Sequence, residues 1–384
     1  MQQKKLAAPA LYPKIYLAID NCVFFKRWTS PDAWAQKISE LGLHYVEASA
    51  DTELDPLYMG HTYLYDWVRN VKQAQENYGI RVANLYSGHG TYTTLGLTHP
   101  DASVRRNMLE NWFFPLLRVA AELNAGAGFF AHAFEHEILQ DETLYRRYVD
   151  MLTDELSKIN VYGSKIGCRS LGIEQMYTPH QFPWRLRDTQ ELLQRVTEQS
   201  GHDFYFTEDL GHHHIKFMRP DRKTASASDG STLWLGSDQA HALWKAEGSA
   251  AWERISADMD HHPSLFSSYE DGDCYHTLRR LGCYSPIIHL QQTNGRLSAH
   301  LPFTPAENAK GIITPTAVLG ALKESYDAPE DPRMPRRCTE IYLTLELFSG
   351  TTSIMNNVLD SVAQSVRYWR GAIPQDGLYL DQLL

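Results

Sequence analysis

The sequence predicts an α/β chain folded as a (β/α)8 TIM barrel with an inserted segment after the sixth strand, and three observations carry that prediction. Eight short apolar runs of strand character alternate with eight stretches of helical periodicity. Glycines close several of the helical stretches, among them Gly42, Gly79 and Gly282. No low-complexity tract or domain-scale linker breaks the series, so residues 1–384 read as one barrel domain. A doubly wound sheet is the alternative arrangement of the same elements.

Residues 14–25 form the first strand, and Ser30 with Pro31 opens the helix that Gly42 ends. Strand two is 44–50 and its helix 63–78; strand three is 81–86, followed by a long helix over 101–124. Strand four is 128–134 and the next helix 141–158, with Leu144, Tyr148, Met151, Leu152 and Leu156 at helical spacing. Strand five is 170–176, its helix 188–199, and strand six the aromatic run from Phe204 that stops at Asp209. The stretch 216–268 is longer than an ordinary βα connection and reads as an insertion, a lid or an oligomer contact, with helical character over 241–255. A helix over 271–281, strand seven at 285–292, a helix at 314–326, strand eight at 339–348 and a last helix at 351–369 complete the count.

Composition narrows the function classes. With 43% apolar and 21% charged residues the chain is ordinary globular material, while a formal charge of -10 repels polyanions and argues against a nucleic-acid partner. The five cysteines, Cys22, Cys168, Cys274, Cys283 and Cys338, are scattered without a C-x-x-C pair. They predict reduced thiols and a cytoplasmic setting, and any metal should be held by oxygen and imidazole. The amino terminus has no sustained apolar core of a signal peptide, and no apolar run reaches the ~18 residues of a membrane span. A homo-oligomer stays open.

Barrel geometry makes a claim about parity: functional polar residues should stand at strand C-terminal ends and point inward. On strand eight Ile341, Leu343, Leu345 and Leu347 share one face, which places Tyr342, Thr344 and Glu346 on the other. The same alternation turns Glu174 inward on strand five, His289 on strand seven, and Asp209 with Tyr205 and Thr207 on strand six. Three carboxylates and an imidazole converging in a low-dielectric mouth repel one another unless a divalent cation neutralises them. The hard O3N donor set suits Mn²⁺, Mg²⁺ or Co²⁺, with Zn²⁺ also compatible. A structural ion pair is the competing reading for any one of the four.

The segments GIEQM, EDLGH, IIHLQQTNGR and LTLELF, in this order on strands five to eight, resemble the metal-site strands of the xylose-isomerase-like sugar (phosphate) isomerase and epimerase superfamily. Ketose 3-epimerases and tetrulose-phosphate epimerases or isomerases are the nearest members. The resemblance implies one divalent metal on Glu174, Asp209, His289 and Glu346, with Glu174 and Glu346 also serving as acid and base. It further implies that His212 and Arg296 hold substrate oxygens, although Arg296 stands one residue further from His289 than in those epimerases. The implied chemistry is removal of a proton next to a ketose carbonyl through a metal-stabilised enediolate. Return of the proton to the same carbon gives epimerisation, and delivery to the neighbouring carbon gives isomerisation. The substrate would be a small sugar or sugar phosphate.

Outside these motifs the residues leave alternatives. Trp184, with Phe182, is either an aromatic wall for a sugar or the anchor of a loop. His300 either lines the pocket or lies on the surface. Arg185, Arg187, Lys216 and Arg219 follow strands five and six, where a phosphate could be held, or form a solvated basic face. Glu47, inward on strand two, is a candidate partner for a metal ligand. His89 and His132 at strand ends suggest a rival class, the endonuclease-IV-like multi-zinc phosphodiesterases, although no Asp follows in Leu297-Ser298-Ala299-His300. A barrel that binds sugar without turning it over is the third class.

Overall fold

The computed structural model of the chain describes residues 11–88, 94–213, 238–268, 270–295 and 297–384. Its parallel strands β1 (Lys14–Asp20), β2 (Tyr45–Ser49), β3 (Arg81–Ser87), β4 (Gly126–Phe129), β5 (Leu171–Glu174), β6 (Tyr205–Asp209), β7 (Ile287–Leu290) and β8 (Glu340–Leu345) pair in chain order. Because β1 pairs with both β8 and β2, the sheet closes into the barrel that the sequence predicts. A short β9 (Leu378–Tyr379) runs antiparallel to β1. It takes the lower end of the β1 edge, at Lys14 and Ile15, because β2 joins only from Ala18 upward. Two residues are too few to show a period, so the sequence gives no sign of this strand.

Strand alternation sorts the core into two layers. Ile341, Leu343 and Leu345 pack outward with the helices in the main core, whereas Tyr16, Ala18, Ala83, Ile287 and Tyr342 fill the barrel interior. The interior floor is aromatic, with the rings of Tyr16 and Tyr342 stacked at 4.9 Å. A large buried side chain such as Ile287 contributes about 1.5–3 kcal/mol through removal of apolar surface from water. A filled floor leaves only the C-terminal ends of the strands for polar inward residues.

Several boundaries move for identifiable reasons. The first strand stops at Asp20, whose side chain caps a 3-10 turn at Asn21–Phe24. The stretch 101–124 is helical but widens into a π-turn at Leu109–Phe113, just before Pro115, whose missing N–H cannot bond four residues back. The helix predicted over 141–158 runs on to Glu142–Ile166 and ends at Gly167, with φ 84°. In the inserted segment the helices Asp238–Glu247 and Trp252–His261 are joined by a 3-10 turn at Gly248–Ala251. Trp244, Ile255 and Met259 sink into the main core, so this part of the insertion is packed onto the barrel.

Between β2 and β3 the register shifts, pairing Val46 with Val82 but Glu47 with Asn84. Such a bulge re-aims every side chain beyond it. It turns Asn84 and Tyr86 toward the barrel mouth, which a simple alternation from Arg81 does not predict.

Candidate metal centre at the barrel mouth

Glu174 ends β5, Asp209 ends β6, His289 lies in β7 and Glu346 follows β8. Each offers one ligand atom, and these atoms all lie within 4.8 Å of one another. All four side chains are buried. His289 Nδ1 faces Glu174 Oε1 at 3.5 Å and Glu346 Oε2 at 3.2 Å. Its other nitrogen, Nε2, lies 3.0 Å from Glu47 Oε2, and Glu47 Oε1 accepts the Asn84 amide at 2.8 Å. A hydrogen bond from Nε2–H to Glu47 leaves the Nδ1 lone pair directed into the cluster, the tautomer a metal requires.

Asp209 is fixed from two sides. Gln291 Nε2 donates to both of its oxygens at 2.9 Å, and the Gly211 N–H donates to Oδ1 at 2.7 Å. Tyr86 donates its phenol to Glu174 Oε2 and sets its ring edge-on against His289 at 4.8 Å. Tyr86, Asn84 and Gln291 are site residues that the sequence reading did not select. Gln291 shares the inward parity of His289, a usable signal, whereas the bulge hides the other two.

The charge pattern fits a cation. Among the described residues, the buried acids Asp20, Glu47, Glu174, Asp209 and Glu346 are balanced by the imidazoles of His212, His289 and His300. Burial, then repulsion from Glu47 and Glu346, pushes Asp20 well above the usual carboxylate range. Burial and Glu346 likewise raise Asp209, with His212 opposing. Burial works against a charged His289, but Glu346 and Glu47 outweigh it and hold the imidazole well above its ordinary value. Burial also opposes ionisation of Glu346, yet His289 and His300 keep its carboxyl well below the usual range. Among the described residues, the buried His289 Nδ1 and Glu346 Oε2 make no well-formed hydrogen bond, their mutual approach at 3.2 Å included, which leaves two donor atoms for a ligand.

Two of the predicted substrate contacts stand beside this cluster. His212 holds the Gln175 carbonyl with Nδ1 at 3.1 Å, and its Nε2 lies 3.3 Å from Asp209 Oδ2. His300 places Nδ1 3.2 Å from Glu346 Oε2 and stacks on Phe348 at 3.8 Å. Trp184 is a different case: its indole is fully buried and its N–H reaches the Ser264 carbonyl at 3.3 Å. With no exposed ring face it anchors the loop after β5 against the inserted segment and offers no wall to a sugar. Arg185 is corrected in the same way, because its guanidinium is buried in a two-bond pair with Asp188, at 2.8 and 2.6 Å. Arg187 is exposed beside Glu191. His132 is buried, with Nε2 on the Phe182 carbonyl. Arg296, His89, Lys216 and Arg219 lie outside the described residues.

No protein-family model matches the chain. Among curated proteins it is similar to the D-erythrulose 1-phosphate 3-epimerase of Brucella abortus, 21% identical over 356 residues, which cover 92% of this chain and 94% of that one. Among solved structures it is similar to a xylose-isomerase-type protein of Rhodospirillum rubrum, with TM-score 0.64 and 16% identity over 93% of this chain and 99% of the other. The D-allulose 3-epimerase of a Methylomonas species aligns with TM-score 0.56 and 12% identity, covering 96% and 99% of the two chains. The D-psicose 3-epimerase of Clostridium cellulolyticum aligns with TM-score 0.54 and 11% identity, covering 93% and 98%. The fold is therefore that of the xylose-isomerase-like barrels. The similarity expected from four short strand motifs extends over nearly the whole chain.

Proposed function

We propose that this protein is a divalent-metal-dependent epimerase or isomerase of a ketose or ketose phosphate. The observation that carries the reading is the convergence of Glu174, Asp209, His289 and Glu346 from four successive strands. Its likeness to a curated ketose-phosphate 3-epimerase along almost its full length supports it. Glu174, Asp209, His289 through Nδ1, and Glu346 would hold the ion, of which Mn²⁺, Mg²⁺ or Co²⁺ best suit the donors and Zn²⁺ is a further candidate. When bound it would act as a Lewis acid on the substrate carbonyl, lowering the cost of negative charge there.

The protein's own groups perform the proton transfer in this reading. Glu174 and Glu346 arrive from strands separated by β6 and β7, so a sugar seated over the cluster meets one carboxylate on each side. One removes the proton beside the carbonyl and the other returns a proton, to the opposite face of that carbon or to its neighbour. His212, held by the Gln175 carbonyl, is placed to contact a substrate oxygen with Nε2. The buried mouth limits water and so limits loss of the proton in transit. A cytoplasmic setting and self-association remain part of the proposal.

A screen of four- to six-carbon ketoses, free and phosphorylated, in D₂O with added Mn²⁺ tests the reading, beginning with D-erythrulose 1-phosphate. Deuterium next to the carbonyl together with a new stereoisomer or an aldose is the expected result. A metal-loaded protein that neither exchanges nor converts any of them would overturn it.

A further inference from the structure

The loop after β7 contains a hydrogen-bonded assembly whose contacts reach two different ligands of the cluster. Gln291 is completely buried, and every polar position of its amide is engaged. One side of the nitrogen serves Asp209, the other donates to Ser298 Oγ at 2.8 Å, and the oxygen accepts the His300 N–H at 2.7 Å. Gly211 makes this possible, because a Cβ at that position would overlap the Gln291 amide.

His300 is the other end of the assembly. Its backbone adopts φ 47°, which a non-glycine residue occupies only when its surroundings hold it there. Its N–H is taken by Gln291, its carbonyl accepts the Phe348 N–H at 3.1 Å, and its ring lies on Phe348 with an interplanar angle of 9°. Ser298 Oγ, already accepting from Gln291, is 3.3 Å from His300 Nε2, so its own proton is free to point there. With Nε2 accepting, the proton of the neutral ring resides on Nδ1, the atom that faces Glu346.

We propose that Gln291 is a positioning residue that couples Asp209 on β6 to Glu346 after β8, acting through Ser298 and His300, so that the two carboxylates take their places together. This gives His300 a role through Glu346 in addition to any contact with substrate. Glu346 lies one residue beyond β8 and His300 stands in a loop. To the backbone bonds of the barrel, such as Glu346 N–H to the Leu290 carbonyl at 3.1 Å, the assembly adds a link between the side chains themselves. The proposal rests on the metal reading given above.

Mn²⁺ titration by calorimetry and the visible spectrum of the Co²⁺-loaded full-length chain test it. Gln291→Leu should weaken Mn²⁺ binding by about 10- to 100-fold and change the cobalt bands, with the far-ultraviolet circular dichroism unchanged. His300→Phe retains an aromatic ring against Phe348 but loses Nδ1, and should weaken binding less. The double variant should bind little worse than Gln291→Leu, because both substitutions break one assembly. Losses that simply multiply, or a Gln291→Leu protein that binds Mn²⁺ as the unaltered protein does, would overturn the coupling. If Gln291→Leu does not fold, Ser298→Ala replaces it, and its loss should again be non-additive with His300→Phe, while additive losses overturn the proposal. Failure of the metal reading is recognised separately, because the unaltered protein would then take up no Mn²⁺, and the coupling would fall with it.

Discussion

Glu47 lies 3.0 Å from His289 Nε2 and thereby decides which nitrogen of that imidazole the cluster receives. The two residues are 242 positions apart in the chain, on β2 and β7, and meet across the barrel interior, both with no exposed surface. An imidazole held at Nε2 by a carboxylate is both oriented and made a stronger donor at Nδ1. Replacing Glu47 by Gln should therefore lower divalent-metal affinity by about 10- to 100-fold while leaving the fold intact. Equilibrium dialysis with Mn²⁺ checks this, and unchanged affinity would separate Glu47 from the metal site.

Glu174→Gln and Glu346→Gln should each reduce turnover of an active ketose by at least about 100-fold, the lower range for loss of a general acid or base. The two are distinguished by direction. The variant that lacks the initial base should also lose deuterium uptake, whereas the variant that lacks only the proton donor should retain exchange with altered stereochemical outcome. Near-normal turnover in either variant removes that residue from the acid–base pair.

Gly211→Ala should be more damaging than an alanine in a loop usually is. Its Cβ would intrude on the Gln291 amide that clamps Asp209. Overpacking of this kind costs about 1–3 kcal/mol. Thermal unfolding should show that loss, and metal affinity should fall with it; a fully stable variant with normal affinity would show that the Gln291 side chain can move aside.

His132 makes a prediction about pH. Burial pushes its imidazole from 6.5 down to about 4, against a weaker upward pull from the Phe182 carbonyl. The unfolded chain therefore binds this proton more readily than the folded chain. Its contribution to stability is complete above about pH 6.5 and is lost as the pH falls toward 4, by about 3 kcal/mol in total. Urea unfolding of the unaltered protein and of His132→Gln between pH 7 and 4 should show a shallower acid decline in the variant. Parallel declines would mean that other groups govern the acid limb.

The sequence determined the parts of this protein that rest on period and order. Alternation along Ile341–Leu347 separates an outer apolar face from an inner polar one, and the same parity aims Glu174, Asp209 and His289 inward. Strand-period reasoning works there because β5 to β8 run without a bulge, so each residue's face follows from its neighbour's. It failed at β3, where the register shift beside Glu47 reverses the face and brings Asn84 and Tyr86 to the mouth. It could not weigh Trp184 either, since an aromatic ring in a loop has the same sequence signature whether it faces a ligand or the core. Only the packing against Ser264 assigns it to the core. The remaining decisions belong to tertiary structure for one physical reason: hydrogen-bond partners across a closed barrel are set by distances between segments far apart in the chain. Glu47 with His289, Tyr86 with Glu174 and Gln291 with Asp209 are such pairs, and these contacts orient four inward side chains into one cluster.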